Sequence, residues 1–113
     1  MRSGTGPFFT VALATLVFIA PHLAFADQTT PNSKIEQIHY WQGHTGTLIV
    51  QQQMTSDNGC ARGDQYILPN AHPNYEHIYS LIIAAHFADR PLIFTLGGCH
   101  EGFPQIKHIF SRR

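Results

Sequence analysis

Apolar residues along this chain gather in short runs separated by glycine, proline and polar stretches, a spacing that predicts strands around one helix. The clearest run is Thr47–Met54, where Leu48-Ile49-Val50 leads into Gln51-Gln52-Gln53. β-Branched and bulky residues suit a pleated, half-buried surface, so this segment reads as a strand whose glutamine end reaches solvent. Ile35–Trp41 holds apolar residues too close together for its period to separate helix from strand, and its Ile, Tyr and Trp tilt it towards strand. Between the two, the glycines of Gln42–Gly46 mark a turn. Gln65–Leu68 is a third, short strand closed by Pro69, and Thr55–Asp64 before it is dense in loop formers. Asn74–Ala88 is the one helix. Tyr75, Ile78, Tyr79, Ile82 and Ala85 fall at i, i+3, i+4, i+7 and i+10, a continuous apolar stripe. Arg90-Pro91 ends it, because a residue before proline is pushed out of the α region. Leu92–Leu96 is a fourth strand, Gly97–Gly102 a turn, and Gln105–Phe110 a fifth strand. The polar lead over 27–34 has little to bury and is expected to be loose.

Strand, strand, strand, helix, strand, strand is the order of a small five-stranded OB-like barrel, mainly β with one helix. A helix laid on an open antiparallel sheet is the competing architecture. Ahead of this single domain, 27–113, residues 1–26 read as a signal peptide. Arg2 supplies the positive start, Phe8–Ala20 the apolar stretch, and Ala24-Phe25-Ala26 the small residues of a cleavage site. At 1.5 Å per residue the apolar stretch covers about 20 Å, short of the roughly 30 Å of a hydrocarbon core. The expectation is export to the periplasm or beyond, cleavage after Ala26, and no membrane span. In an oxidising compartment the chain's two cysteines, Cys60 and Cys99, are expected to form one disulfide, since only one pairing exists. A reactive thiol at Cys99, with His100 beside it, is the competing reading.

Several of these segments together resemble a known group. Gly46-Thr-Leu-Ile-Val, Cys60, Tyr66-Ile-Leu-Pro, the helix Tyr75-x-x-Ile-Tyr-Ser-Leu-Ile-Ile-Ala-Ala85, Pro91-Leu-Ile-Phe, Gly98-Cys99 and Pro104-x-Ile106 resemble small exported bacterial proteins. That group is similar to the pentameric binding subunit of subtilase cytotoxin and its pertussis-like relatives. The resemblance covers about Ile35–Phe110 and implies an OB fold that binds glycans. It carries no site residue onto a numbered position of this chain.

Composition narrows the function further. Seven Lys+Arg balance seven Asp+Glu, so the basic footprint of a nucleic-acid binder is missing. Histidine is abundant: after Ala26 come His39, His44, His72, His77, His86, His100 and His108. Metal motifs need tight spacing, yet His77 and His86 fall on opposite faces of the helix at about 100° per residue. His100-Glu101 begins like a His-Glu-x-x-His zinc motif, but Pro104 stands where the second histidine would be. No metal site and no cofactor is therefore assigned. An enzyme is not expected either: Ser80 lies inside the helix, Ser33, Ser56 and Ser111 lie in the lead, a loop and the tail, and no Gly-x-Ser-x-Gly elbow exists. Gly97-Gly98 lacks the following lysine and helix of a phosphate cradle, and Arg62-Gly63-Asp64 reads as a solvated loop. Tyr40 and Trp41 flank a polar turn and are the candidate ligand-binding residues, because sugar rings stack on exposed aromatic faces. The reading is an exported, non-enzymatic binding module for an extracytoplasmic ligand, a glycan or a protein. Its alternatives are a periplasmic histidine-rich metal-handling protein and a protein-interaction or inhibitor module.

Overall fold

Strand pairing follows the apolar runs and then extends past them. The computed structural model describes residues 26–55 and 57–112, so the expected signal peptide lies outside the described residues up to Phe25. Six strands and one helix follow: β1 (Gln28–Thr29), β2 (Ser33–His39), β3 (Gly46–Gln51), β4 (Tyr66–Pro69), α1 (Tyr75–Phe87), β5 (Pro91–His100) and β6 (Phe103–Phe110). The protein is mainly β with one helix. β3 pairs antiparallel with β2, Ile38 opposite Ile49, and with β4, Leu48 opposite Ile67. β4 meets β6 in parallel at Ile67 and Gln105, β6 runs antiparallel to β5, and β5 returns to β2 at Ser33 and Leu92. Hydrogen bonding therefore runs in a ring through β2, β3, β4, β6 and β5, with β1 attached to β5. Gly46 opens β3 where β4 comes close: a Cβ there would lie 2.6 Å from the Leu68 carbonyl oxygen.

Alternation along the strands sorts side chains into two groups. Ile49, Tyr66, Leu68, Leu92, Phe94, Leu96 and Ile106 form the main core, and α1 covers it with Ile78, Ile82 and Ala85. This is the stripe read from the sequence, with Tyr75 and Tyr79 packed at its margin. Leu48 and Ile67 stand between those positions and form a second, smaller cluster under Phe103. None of the described helices is long and apolar enough to cross a membrane.

Four local expectations need correction. The sequence order predicted five strands, and the sixth, β1, comes from the lead expected to be loose. Thr30 donates its N–H to the Phe94 carbonyl and its hydroxyl accepts the Phe94 N–H, both at 2.9 Å, so two-residue β1 is held by a partner far along the chain. Gly97–Gly98 does not turn but lies within β5, where register shifts between Leu96 and Cys99 and Gly98 adopts φ +72°. The turn is confined to Glu101-Gly102, both at positive φ, as a two-residue hairpin loop requires.

Gln51 is the fourth correction, and the one with energetic weight. It was expected at the solvent end of its strand but is buried, and only Gln52 and Gln53 are exposed. Its amide donates to the Ser33 carbonyl at 3.1 Å and the Leu92 carbonyl at 2.9 Å, bridging β2 and β5 where the ring closes. Replacing Gln51 by Leu should destabilise by about 1–3 kcal/mol, because two buried carbonyls lose a donor. Thermal unfolding checks this, and an unchanged midpoint would show that the bridge contributes nothing.

Candidate functional site

The ends of the strands bring three chain segments together: the β2–β3 connection, the excursion between β3 and β4, and the β5–β6 turn. Cys60 and Cys99 are bonded, with Cα atoms 5.7 Å apart, and tie the excursion to the end of β5. Neither cysteine is free, so Cys99 is not a reactive thiol. Arg62 N–H donates to the Gly102 carbonyl at 2.9 Å and adds a second tie to the turn.

Glu101 fastens the β2–β3 connection to the same turn. Its carboxylate accepts from His44 Nδ1 at 2.7 Å, and from the Thr45 hydroxyl and backbone N–H at 2.8 and 3.0 Å. Thr45 has one hydroxyl proton, which goes to Glu101, so His100 Nε2, 2.7 Å away, donates to the Thr45 oxygen. A histidine in that role does not activate the hydroxyl as a base would. Threonine, histidine and carboxylate here form a latch between two loops.

The hydrogen bond from His44, then those from Thr45, hold the Glu101 carboxyl well below its ordinary value of 4.5, at about 2. A folded-state value below the unfolded one means stability present above about pH 4.5 and lost as the pH falls through about 2. In acid titrations of unfolding, Glu101→Gln should remove part of the decline between these limits. A variant that declines as steeply as the parent would show that the latch does not titrate with the fold.

Tyr40 and Trp41 flank this latch but do not form one platform. Both are exposed, at 54% and 58%. Successive side chains of an extended segment point to opposite sides. Tyr40 turns to the helix, 6.2 Å ring to ring from Tyr79, which itself stacks on Tyr75. Trp41 turns the other way and lines an open cleft of about 250 Å³ with His44, Leu48, Arg62, Gln65 and Phe103. Buried Leu48 and Phe103 give the cleft an apolar floor. Trp41 is fixed in orientation: its Nε1 donates to His39 Nδ1 at 3.0 Å, as does Gln37 Nε2 at 3.1 Å. With Nδ1 accepting twice, the His39 proton sits on Nε2 and goes to Gln65 Oε1.

Arg62 lies on the Phe103 ring, 4.8 Å from its centroid, and pairs with Asp64 through two bonds of 3.1 and 2.6 Å. That pairing holds the Asp64 carboxyl below the usual carboxylate range. The Arg62-Gly63-Asp64 triplet therefore closes on itself, and Arg62 serves as a wall of the Trp41 cleft. Sequence reasoning missed His39, His44, Arg62, Gln65 and Phe103 as its companions, since they lie on four separate segments.

The histidines fall into distinct roles. His72 Nε2 donates to the Lys107 carbonyl at 2.9 Å while Nδ1 accepts the Asn74 N–H, pinning the β4–α1 connection to β6. His86 Nδ1 reaches the Ile35 carbonyl at 3.1 Å, pinning α1 to β2. Among the described residues no group of three His, Cys, Asp or Glu is placed to hold a metal ion. A larger cleft, about 480 Å³, opens between the β4–α1 connection and β6. The chain matches no family model, no curated protein and no solved structure.

Proposed function

We propose that this chain is an exported, OB-like module that binds a glycan in the Trp41 cleft. With β1 set aside, the ring runs through five strands, and the helix falls between the third and fourth of them in sequence. That order supports the OB-like reading, in which the outer face of the second and third strands and two adjoining loops form the binding surface. Here those strands are β3 and β4, and the loops are the β2–β3 connection and the β5–β6 turn. The proposed kinship with the subtilase cytotoxin binding subunit rests on the same order and on the segments quoted above. Export is supported by the Cys60–Cys99 disulfide, a bond of oxidising compartments.

One observation carries the reading. An exposed, hydrogen-bond-anchored tryptophan stands over an apolar floor, ringed by His44, Arg62 and Gln65 as polar partners. A flat aromatic face beside a few polar groups is suited to a sugar ring, which presents C–H bonds on one face and hydroxyls at its edge. A glycan array probed with the parent chain and with Trp41→Ala tests it. The expected outcome is binding by the parent and at least about tenfold weaker binding by the variant, about 1.4 kcal/mol. A glycan bound equally by both would move the site away from Trp41. An empty array beside a tight protein partner in a pull-down would favour the interaction module.

A further inference from the structure

We propose a second ligand site, independent of the Trp41 cleft, in the groove between the β4–α1 connection and β6, with an organic oxyanion such as a phosphate or sulfate ester as its ligand. The groove is lined by apolar Pro69, Ala71 and Pro73 together with His72, His100, Lys107 and His108. An adjoining cleft of about 330 Å³ continues it along His77, Ile78 and Ile109, sharing Asn74, Lys107 and His108. No carboxylate lines either one. The charged and titratable groups around the groove are few. His72 comes from the connection, His77 and Glu76 from α1, His100 and Glu101 from the β5–β6 end, and Lys107 and His108 from β6.

Most of the negative charge nearby is already engaged. Glu101 is engaged by His44 and Thr45 in the latch, and Asp27 pairs with the Lys107 ammonium at 2.9 Å on the exposed surface. Glu76 lines a neighbouring cleft with His77 and is the one acidic group left at the margin. His72 uses both ring nitrogens within the fold and acts as a fixed wall. The His77 and His108 side chains are exposed and make no hydrogen bond among the described residues, so they are able to meet a ligand. Asn74 starts α1 without a side-chain cap of its own, and the N–H groups of Asn74 and Tyr75 go to His72. Imidazole N–H groups in the lining can donate hydrogen bonds to the oxygens of an anion. The apolar part of the lining is why the ligand is an ester with an organic body.

Sulfate is the appropriate first probe, because it is an oxyanion without an organic body, and phenyl sulfate is the second, because it adds an apolar body. Backbone amide shifts of Asn74–Ile78 and Lys107–Ile109 should move saturably with both probes, at least about fivefold tighter for phenyl sulfate. His77→Gln/His108→Gln, two exposed substitutions, should weaken both probes at least about fivefold, whereas Trp41→Ala should leave binding unchanged. Several results would overturn the site: no saturable shift in these segments, unchanged binding in the double variant, or sulfate and phenyl sulfate binding alike. Co-sedimentation with phosphatidylglycerol vesicles without any shift from the soluble anions would also overturn it, in favour of a membrane surface.

Discussion

Replacing both Cys60 and Cys99 by serine is expected to lower stability by about 2–5 kcal/mol, the usual loss for a small secreted domain. The bond closes a separation of 39 residues, for which the chain-entropy description gives about 4 kcal/mol. Cys60 is buried in an excursion that forms neither strand nor helix among its described residues, so little else orders that part of the chain. The Arg62 tie to Gly102 and the bonds between Thr55 and the Tyr66 hydroxyl remain after reduction. The cleft wall at Arg62 should therefore loosen before the core does. Circular dichroism should keep its helical signal at low temperature, because α1 still buries Ile78, Ile82 and Ala85. Melting that does not change on reduction would mean that the bond adds nothing to the fold.

The core makes the second large prediction. Ile82 is fully buried at the middle of α1, and Ile82→Ala should cost about 2–5 kcal/mol, the range for removing a large core side chain. His77, one turn earlier on the exposed face, should cost less than about 0.5 kcal/mol when replaced by Ala. Denaturant unfolding of the two variants gives the comparison directly. Equal losses would mean that the helix buries a different face.

These contrasts also show which features are local. The helix was legible because its stripe repeats over three turns, and no single substitution hides such a pattern. β3 and β4 were legible because their apolar runs are bounded by glycine and proline. Gln51 was misread because a glutamine looks solvated until β2 and β5 are brought together around its amide. β1 was misread for a similar reason: Gln28 and Thr29 have no apolar pattern, and their order comes from Leu96 and Thr95. At the sites, adjacency in sequence misled where adjacency in space matters. Tyr40 and Trp41 are neighbours that face apart, whereas Trp41, Arg62 and Phe103 come from distant segments to one cleft. His72, His100 and His108 likewise meet only because the ring carries them to the same groove.

The chain has a single tryptophan, so one resonance reports on the central claim. The decisive measurement is the indole Nε1–H signal of Trp41 during titration with a glycan selected from the array. Glycan binding in the cleft predicts that this signal moves to saturation, together with the amides of His44, Arg62 and Phe103. A glycan that binds to saturation while the indole signal stays still would contradict the assignment of this cleft.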